Sequence, residues 1–365
     1  MFFRTFSWSL GITALALVWA FLYDGVTGLV LVGLLAILEV SLSFDNAVIN
    51  ASVLERMSAF WQRIFLTIGI AIAVFGMRLV FPVVLVSVTA GLGPIEAFQL
   101  ALDDPAQYQH TLEDAHPAIA SYGGVFLLLI FLDFVFEEQE YRWLKPVESA
   151  LAKIGKLDQL SVLVTLGALL LVAGTIADDP ATVLTSGVAG IVTYLLVNGL
   201  GSLFESQGLA KAEDEDVAAD KPAKDGNGQL VKLTGKAAFF LFLYLEVLDA
   251  SFSFDGVVGA FAISSDIFII AAGLGVGAMY VRSLTVYLVN KGTLAEYVYL
   301  EHGAHWAIGA LATILLLTIK FHIPEIVTGL IGVGFILASF ISSVLRNRRV
   351  AAAGGNTERT LEPVS

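Results

Sequence analysis

Long apolar runs separated by short polar breaks recur along the whole chain. About 20 apolar residues are what an α-helix needs to cross a hydrocarbon layer of about 30 Å. Ten such helices are expected, near 7–23, 26–54, 61–90, 119–137, 158–176, 182–204, 234–262, 266–290, 303–319 and 323–345. The second and seventh, at about 30 residues, exceed a straight crossing, so each is expected to tilt or to break part-way.

The polar breaks divide the chain further. Expected are a first transmembrane helix at 1–24, a first repeat at 25–137 with an outer acidic loop at 91–117, and an extra helix pair at 138–204. A flexible cytoplasmic linker at 205–232, a second repeat at 233–345 and a disordered basic cytoplasmic tail at 346–365 follow. The linker expectation rests on mixed charge with Gly and Pro over Glu205–Lys232. Arg4 followed by Trp8–Tyr23 reads as a spanning helix rather than a cleaved signal, because no small-residue cleavage site comes after it.

Basic residues set the orientation. With the N-terminus inside, Lys320 alone of the 20 Lys and Arg falls in an outer segment, and Arg78 and Arg282 fall within spans. The expected fold class is all-α: a polytopic transmembrane helix bundle of about ten spans, with inverted repeats and both termini inside. Composition agrees, at 57% hydrophobic and 15% charged residues, with a mean hydropathy of +0.82. The chain has no Cys, which removes disulfides, thiolate metal sites and cysteine nucleophiles. A net charge of −13 argues against nucleic acid, and the lipid bilayer is the expected partner.

One short pattern occurs twice inside the two long apolar runs. Glu39–Asp45 reads EVSLSFD and Asp249–Asp255 reads DASFSFD, offset by about 210 residues. Glu39 then corresponds to Asp249, Ser43 to Ser253, and Asp45 to Asp255. The charge-derived orientation makes the two copies antiparallel, the plan of transporters with a binding site where inverted repeats meet. An ionisable residue at membrane depth is costly, so four in matching places point to a site. The plain alternative is that these acids only pair with Arg78 and Arg282 to fix helix packing.

Residues six apart on an α-helix point about 120° apart, so Glu39 and Asp45 cannot share one face of a regular helix. If both line one cavity, the backbone must unwind near Ser43–Asn46, and near Ser253–Gly256 in the second copy. Ser, Asp, Asn and Gly are suited to such a break, and freed carbonyls can then act as ligands. Carboxylates, hydroxyls and the Asn46 carboxamide form an all-oxygen set for a hard divalent cation.

Secondary candidates surround this core. Ser43, Asn46, Ser253 and Glu246 could extend it, or Glu246 could only face a neighbouring helix. His302 and His305, in the tract EHGAH, lie on one face at the inner end of a span and read equally as transient ligands or as interfacial packing. Arg78 and Arg282 read as structural counter-ions. Asp133 and Glu137 read as interfacial, and Gly273, Gly275 and Gly277 as sites of close helix packing.

Glu39, Ser43, Asp45 and Asn46 together resemble the first signature of the TerC family of integral membrane proteins. Asp249, Phe252 and Asp255 resemble its second signature, and the EHGAH tract is similar to a further TerC-like segment. The likeness covers roughly residues 25–345 and is greatest to a TerC-related bacterial branch without an assigned function. It implies a fold related to the LysE-type transporter superfamily, export of a divalent cation with Mn²⁺ the foremost cargo, and a link to tellurium resistance. It also implies that Glu39, Asp45, Asp249 and Asp255 coordinate the metal. The sequence departs at Gly256, where family members tend to carry Ser, and in the extra helices near 158–204 and the inner linker.

The expectation is a non-enzymatic exporter in the bacterial inner membrane, with Mn²⁺ first and then Mg²⁺, Ca²⁺ or Zn²⁺ as cargo, and no permanently bound cofactor. Three rivals remain open at this point: an efflux carrier for a small organic solute such as an amino acid, an intramembrane aspartyl hydrolase, and a non-transporting stress-response scaffold.

Overall fold

A computed structural model describes residues 2–155, 157, 159–210, 232–261, 263–264, 266–291 and 296–352. Within its helices the side chains of 2–4, 41, 42, 44, 45, 89, 200–210, 253–255, 258, 259, 290, 291, 325, 326, 351 and 352 lie outside the described set.

The described residues form helices and turns, with no strand among them beyond one bridge between Met57 and Leu233. Seven helices are long and apolar enough to cross a bilayer: Thr5–Val40, Ala59–Val88, Pro105–Phe136, Pro180–Gly199, Ile267–Val289, Leu300–Thr318 and Val327–Val350. Large apolar side chains such as Trp8, Leu22, Ile37, Leu163 and Leu170 stand exposed on their outer faces. This is the surface of a multi-pass membrane protein.

Helix α1 (Phe2–Leu42) is not one rod. Asp24 and Gly25 leave helical geometry, and Gly25 takes φ 60°, which suits a residue without Cβ. The chain reverses there. A Cβ added at Gly28 would lie 2.6 Å from the Ala20 carbonyl oxygen, an approach possible only if 26–42 folds back along 2–23. Both limbs pack on α11 (Ile267–Lys291): Tyr23 bonds Asp266 and Ser9 bonds Ser283 from the first limb. From the second limb, Leu35 meets Gly273 and Glu39 meets Gly277.

After a turn at Ser43 the chain continues as α2 (Phe44–Glu55). Next comes α3 (Ala59–Ile64), two π-helical segments at Phe65–Gly69 and Ile72–Val80, and α4 (Phe81–Ala90), making one continuous rod with widened turns. Wide turns of this kind are uncommon and recur at functional sites. Gly91, at φ 66°, ends α4.

The stretch 91–117, expected as an outer loop, is instead largely helical. It forms α5 (Pro94–Asp103) and the first turns of α6 (Pro105–Phe136). Glu96 and Asp104 accept backbone N–H groups at the two helix starts, and Pro sits at each first turn. Acidic residues here serve helix N-termini, and a hydropathy reading cannot separate that from a loop.

A short amphipathic helix, α7 (Lys145–Ile154), precedes α8 (Leu160–Thr175) and α9 (Pro180–Ala210). α9 packs on α6 through Gly187 and Gly190, and its Tyr194 hydroxyl donates to Asp133. Asp133, expected to be interfacial, thus serves a helix–helix contact. α9 runs to Ala210, beyond the expected linker start at 205; residues 211–231 of that linker lie outside the described set.

The remaining helices are α10 (Gly235–Phe261), α11, α12 (Leu300–Thr318) and α13 (Glu325–Ala352). α13 stays helical through 346–352, where a disordered tail was expected; residues 353–365 lie outside the described set. The unwinding expected near Ser253–Gly256 is absent, because α10 is helical without interruption to Phe261.

Contacts sort the helix ends into two groups. Tyr23 with Asp266, Tyr108 with Phe261, and Asp178 with Lys320 gather at the end expected from charge to face out. Met57 with Leu233, Glu148 with His302, and Tyr299 with Ser343 gather at the other, the end expected from charge to face in.

Candidate functional site

The site lies where the second limb of α1 and α2 cross α10. Glu39, 1% exposed, closes its own turn through Ser43, whose hydroxyl donates to Glu39 Oε1 at 3.0 Å. The same oxygen accepts from Arg78 Nη2, and Arg78 Nη1 donates to the Ala73 carbonyl in the π-helical stretch. On the other copy, Arg282 Nη2 lies 3.3 Å from Asp249 Oδ2 and 3.5 Å from Glu246 Oε1. The Arg282 guanidinium rests 3.8 Å over the Phe65 ring, a cation–π contact strengthened by the dry surroundings. Arg78 and Arg282 are therefore counter-ions.

Two contacts join the copies. Asn46 Nδ2 donates to Asp249 Oδ1 at 2.7 Å. Gly256 lies so close to Glu39 that a Cβ there would sit 3.1 Å from Glu39 Oε2. In the sequence offset Glu39 corresponds to Asp249, and Asn46 to Gly256. Each copy's leading acid thus meets the other copy's last residue. The glycines repeat the exchange: Gly69 faces Glu246 and Phe242 on α10, and Gly273 faces Leu35 and Val32 on α1. A glycine at each place lets helix backbones approach in a setting where lipid offers no hydrophobic drive.

Glu39 and Asp249 do not share a partner. Seven helical residues separate the levels at which they sit, about 10 Å along the axis. Among the described residues no three His, Asp or Glu converge as a metal-holding group. The side chains of Asp45, Ser253 and Asp255 lie outside the described set. By backbone position Asp45 adjoins Asn46 at the Asp249 level, and Asp255 adjoins Gly256 at the Glu39 level.

His302 and His305 stand apart from this crossing. His302 Nδ1 is 3.2 Å from the Glu148 carboxylate, and His305 Nδ1 donates to the Glu301 carbonyl at 2.9 Å. The His305 ring stacks on Phe134 at 3.7 Å. Both are inner-end residues. The sequence placed them on one face at the inner end of a span, and left open whether they act as ligands or as packing.

Two participants were missed in the sequence. Asn50 is one turn beyond Asn46 and fully buried, and among the described residues neither its carboxamide oxygen nor its nitrogen has a partner; its i+4 spacing from Asn46 was the available signal. Glu148 on α7 is 5% exposed and accepts from Trp306 Nε1 at 3.0 Å and Trp143 N at 2.9 Å, besides His302. Burial pushes its carboxyl up, but the hydrogen bonds of His302, Trp306 and the Leu144 backbone hold it below the ordinary carboxylate value. Its short helix carries no long apolar run, so nothing in the pattern marked it.

A cavity of about 370 Å³ opens at the outer end. Its walls include Glu113, His116, Thr318 and His322 near the mouth, and Ser251 and Gly256 at its depth. It therefore reaches the residue against which Glu39 is set.

A family model described as a protein of unknown function (DUF475) matches residues 44–350. No curated protein and no solved structure matches the chain. The match takes in Asp45, Asp249, Asp255, both buried Arg and the His302–His305 pair, and begins after Glu39. The chain belongs to the DUF475 family.

Proposed function

We propose that this DUF475 protein is a carrier that exports a divalent cation, Mn²⁺ first, from a bacterial cytoplasm across the inner membrane. The reading is carried by one observation, the reciprocal contact in which Glu39 meets Gly256 and Asp249 meets Asn46. Reciprocal pairing of this kind is what a two-fold axis between equivalent segments produces. With the axis in the membrane plane, residues 25–137 and 233–345 are inverted repeats. Counting the kinked α1 as two crossings and adding α8 and the acid-bearing α10 then brings the crossings to ten, with both termini inside.

Chemistry supports a cation over an organic acid. Three buried carboxylates, Glu39, Asp249 and Glu246, face two guanidiniums, and Glu246 Oε2 has no partner among the described residues. A dry pocket with surplus negative charge and oxygen donors suits a hard divalent ion. Both Arg side chains already hold protein carboxylates, which removes the support for an amino-acid carboxylate as cargo. Each of these three acids bonds Arg, and among the described residues none bonds another acid, so Glu39, Asp249 and Glu246 form no hydrolytic dyad with one another. In this reading the ion is held at one level of the crossing at a time, that of Asp249 and Asp45 or that of Glu39 and Asp255, and the outer cavity is its exit.

The test is flux into or out of liposomes holding the purified chain, comparing Mn²⁺, Mg²⁺, Ca²⁺ and Zn²⁺. Expected is Mn²⁺ flux that Glu39→Gln or Asp249→Asn abolishes. Protein that moves none of these ions, or that moves Mn²⁺ undiminished in both variants, would sink the reading. Cells without the protein are expected to accumulate manganese.

A further inference from the structure

The positions that line the outer cavity have sequence equivalents toward the other end of the bundle. Helices α6 and α12 allow the comparison. His116-Pro117-Ala118-Ile119-Ala120 on α6 matches His305-Trp306-Ala307-Ile308-Gly309 on α12 at an offset of about 189 residues. The match continues through Val125–Leu128 and Ile314–Leu317, and sets Leu129 against Thr318. The two helices run antiparallel, with Gly124 on Ala312 and Leu316, and Gly309 on Phe131.

In this register the outer cavity takes Glu113 and His116 from α6, and Ala307, Leu311 and Thr318 from α12. Exchanging the helices gives His302 and His305 from α12, and Ala118, Tyr122 and Leu129 from α6. Of these positions His302, His305 and Leu129 are buried, and Ala118 and Tyr122 are half-buried. Leu129 is 0% exposed within the core, and Phe134 stacks on His305 at 3.7 Å and meets His302 edge-on at 5.1 Å. Nδ1 of His302 lies against the Glu148 carboxylate and Nδ1 of His305 donates to the Glu301 carbonyl, an arrangement in which a neutral imidazole offers Nε2 to a ligand. Metal-binding histidines are commonly oriented in this way by a carboxylate or carbonyl.

We propose that the inner end holds a second vestibule, closed by the Phe134 ring, through which a divalent cation enters past His302 and His305 as the outer cavity closes. Alternation follows from the fold: two equivalent halves that differ in this structure can exchange conformations at little cost. The proposal rests on the transport reading above and adds to it the entry route and its ligands.

Because the chain has no Cys, a single introduced thiol is the only one present. The full chain in membrane vesicles of either sidedness is treated with a membrane-impermeant maleimide. Thr318→Cys is expected to label from the outer side. Leu129→Cys is expected to label from the inner side, rising several-fold with Phe134→Ala while outer labelling of Thr318→Cys falls. Phe134→Leu, which largely keeps the volume, is expected to act in the same direction less strongly and serves if the Ala variant does not fold. Leu129→Cys that labels only from the outer side, or that stays unlabelled while Thr318→Cys is unchanged in both Phe134 variants, overturns the vestibule. Labelling that responds to Phe134 but never to Mn²⁺ supports the vestibule and removes manganese as its cargo.

Discussion

The two acid-bearing crossings carry the same spacing of acid, serine and acid, yet one breaks and the other does not. The first turns at Ser43 (φ −102°, ψ 16°), and the second continues helical past Gly256. Side-chain reach accounts for the difference. At one meeting point the longer acid, Glu39, faces a residue with no side chain, Gly256. At the other the shorter acid, Asp249, faces Asn46, which supplies the missing length. Asn46 follows the break, which redirects it toward α10, whereas Gly256 has nothing to aim. The copies also differ in charge: Arg78 holds one carboxylate, and Arg282 holds two and rests on Phe65. A duplicated sequence thus specifies where the halves meet, and local side-chain length decides which backbone yields.

The largest expected effect tests the charge difference. Removing one partner of a buried ion pair costs about 3–5 kcal/mol. Arg282→Gln strands two acids and Arg78→Gln strands one, so Arg282→Gln is expected to lower the thermal midpoint of the detergent-purified protein further. Equal shifts would show that the second acid is already neutral or otherwise held. Pairing Arg78→Gln with Glu39→Gln should recover most of the stability but no flux.

Next come the glycine contacts. Overpacking typically costs about 1–3 kcal/mol. In Gly277→Ala the new methyl meets Glu39 Cβ at 2.4 Å and the Ala36 carbonyl at 3.0 Å, neither of which can swing aside. In Gly69→Ala it meets Glu246 Oε1 at 2.8 Å, the end of a flexible side chain. Gly277→Ala is expected near the top of that range and Gly69→Ala near its foot. The same thermal measurement ranks them, and the reverse order would contradict the close approach of α1 to α11.

Acid should loosen the contacts of Glu148. The Glu148 carboxyl is held below its ordinary value in the folded chain. Its contribution is therefore full above the unfolded carboxylate pKa of about 4.3 and is lost as pH falls through the lower folded value. Glu148→Gln should remove that acid sensitivity and cost about 1–3 kcal/mol at neutral pH. Proteolysis around α7 across pH reads it out, and a variant with an unchanged acid profile would place the titrating group elsewhere.

The smallest effect probes reach directly. A Cβ at Gly256 would sit 3.1 Å from Glu39 Oε2, tight by a few tenths of an ångström. Gly256→Ala alone should reduce flux modestly, and adding Glu39→Asp should restore it by moving the missing length across the gap. No rescue in the pair would mean that Glu39 acts through its exact position rather than its reach.

Much of this was legible in the chain. The reversal at Asp24–Gly25, the break near Ser43, the pairing of the acids with Arg78 and Arg282, and the close-packed Gly273 and Gly277 all follow from local pattern. Hydropathy, turn chemistry and the high cost of lone charge in lipid act residue by residue, so they show in the sequence. The helical course of 91–117, the Glu148 latch and the unbroken α10 do not, because capping acids resemble loop acids and a short amphipathic helix carries no long apolar run.

What the sequence determined by itself was the inventory: apolar helices, two matching acid-rich stretches and the cations to balance them. Only the packed structure decided that Glu39 faces Gly256 while Asp249 faces Asn46, that His302 meets Glu148 and His305 meets Phe134 away from that crossing, and that the cavity lies at the end expected to face out. Those outcomes depend on which helices touch and how far each side chain reaches, and no single segment contains that information.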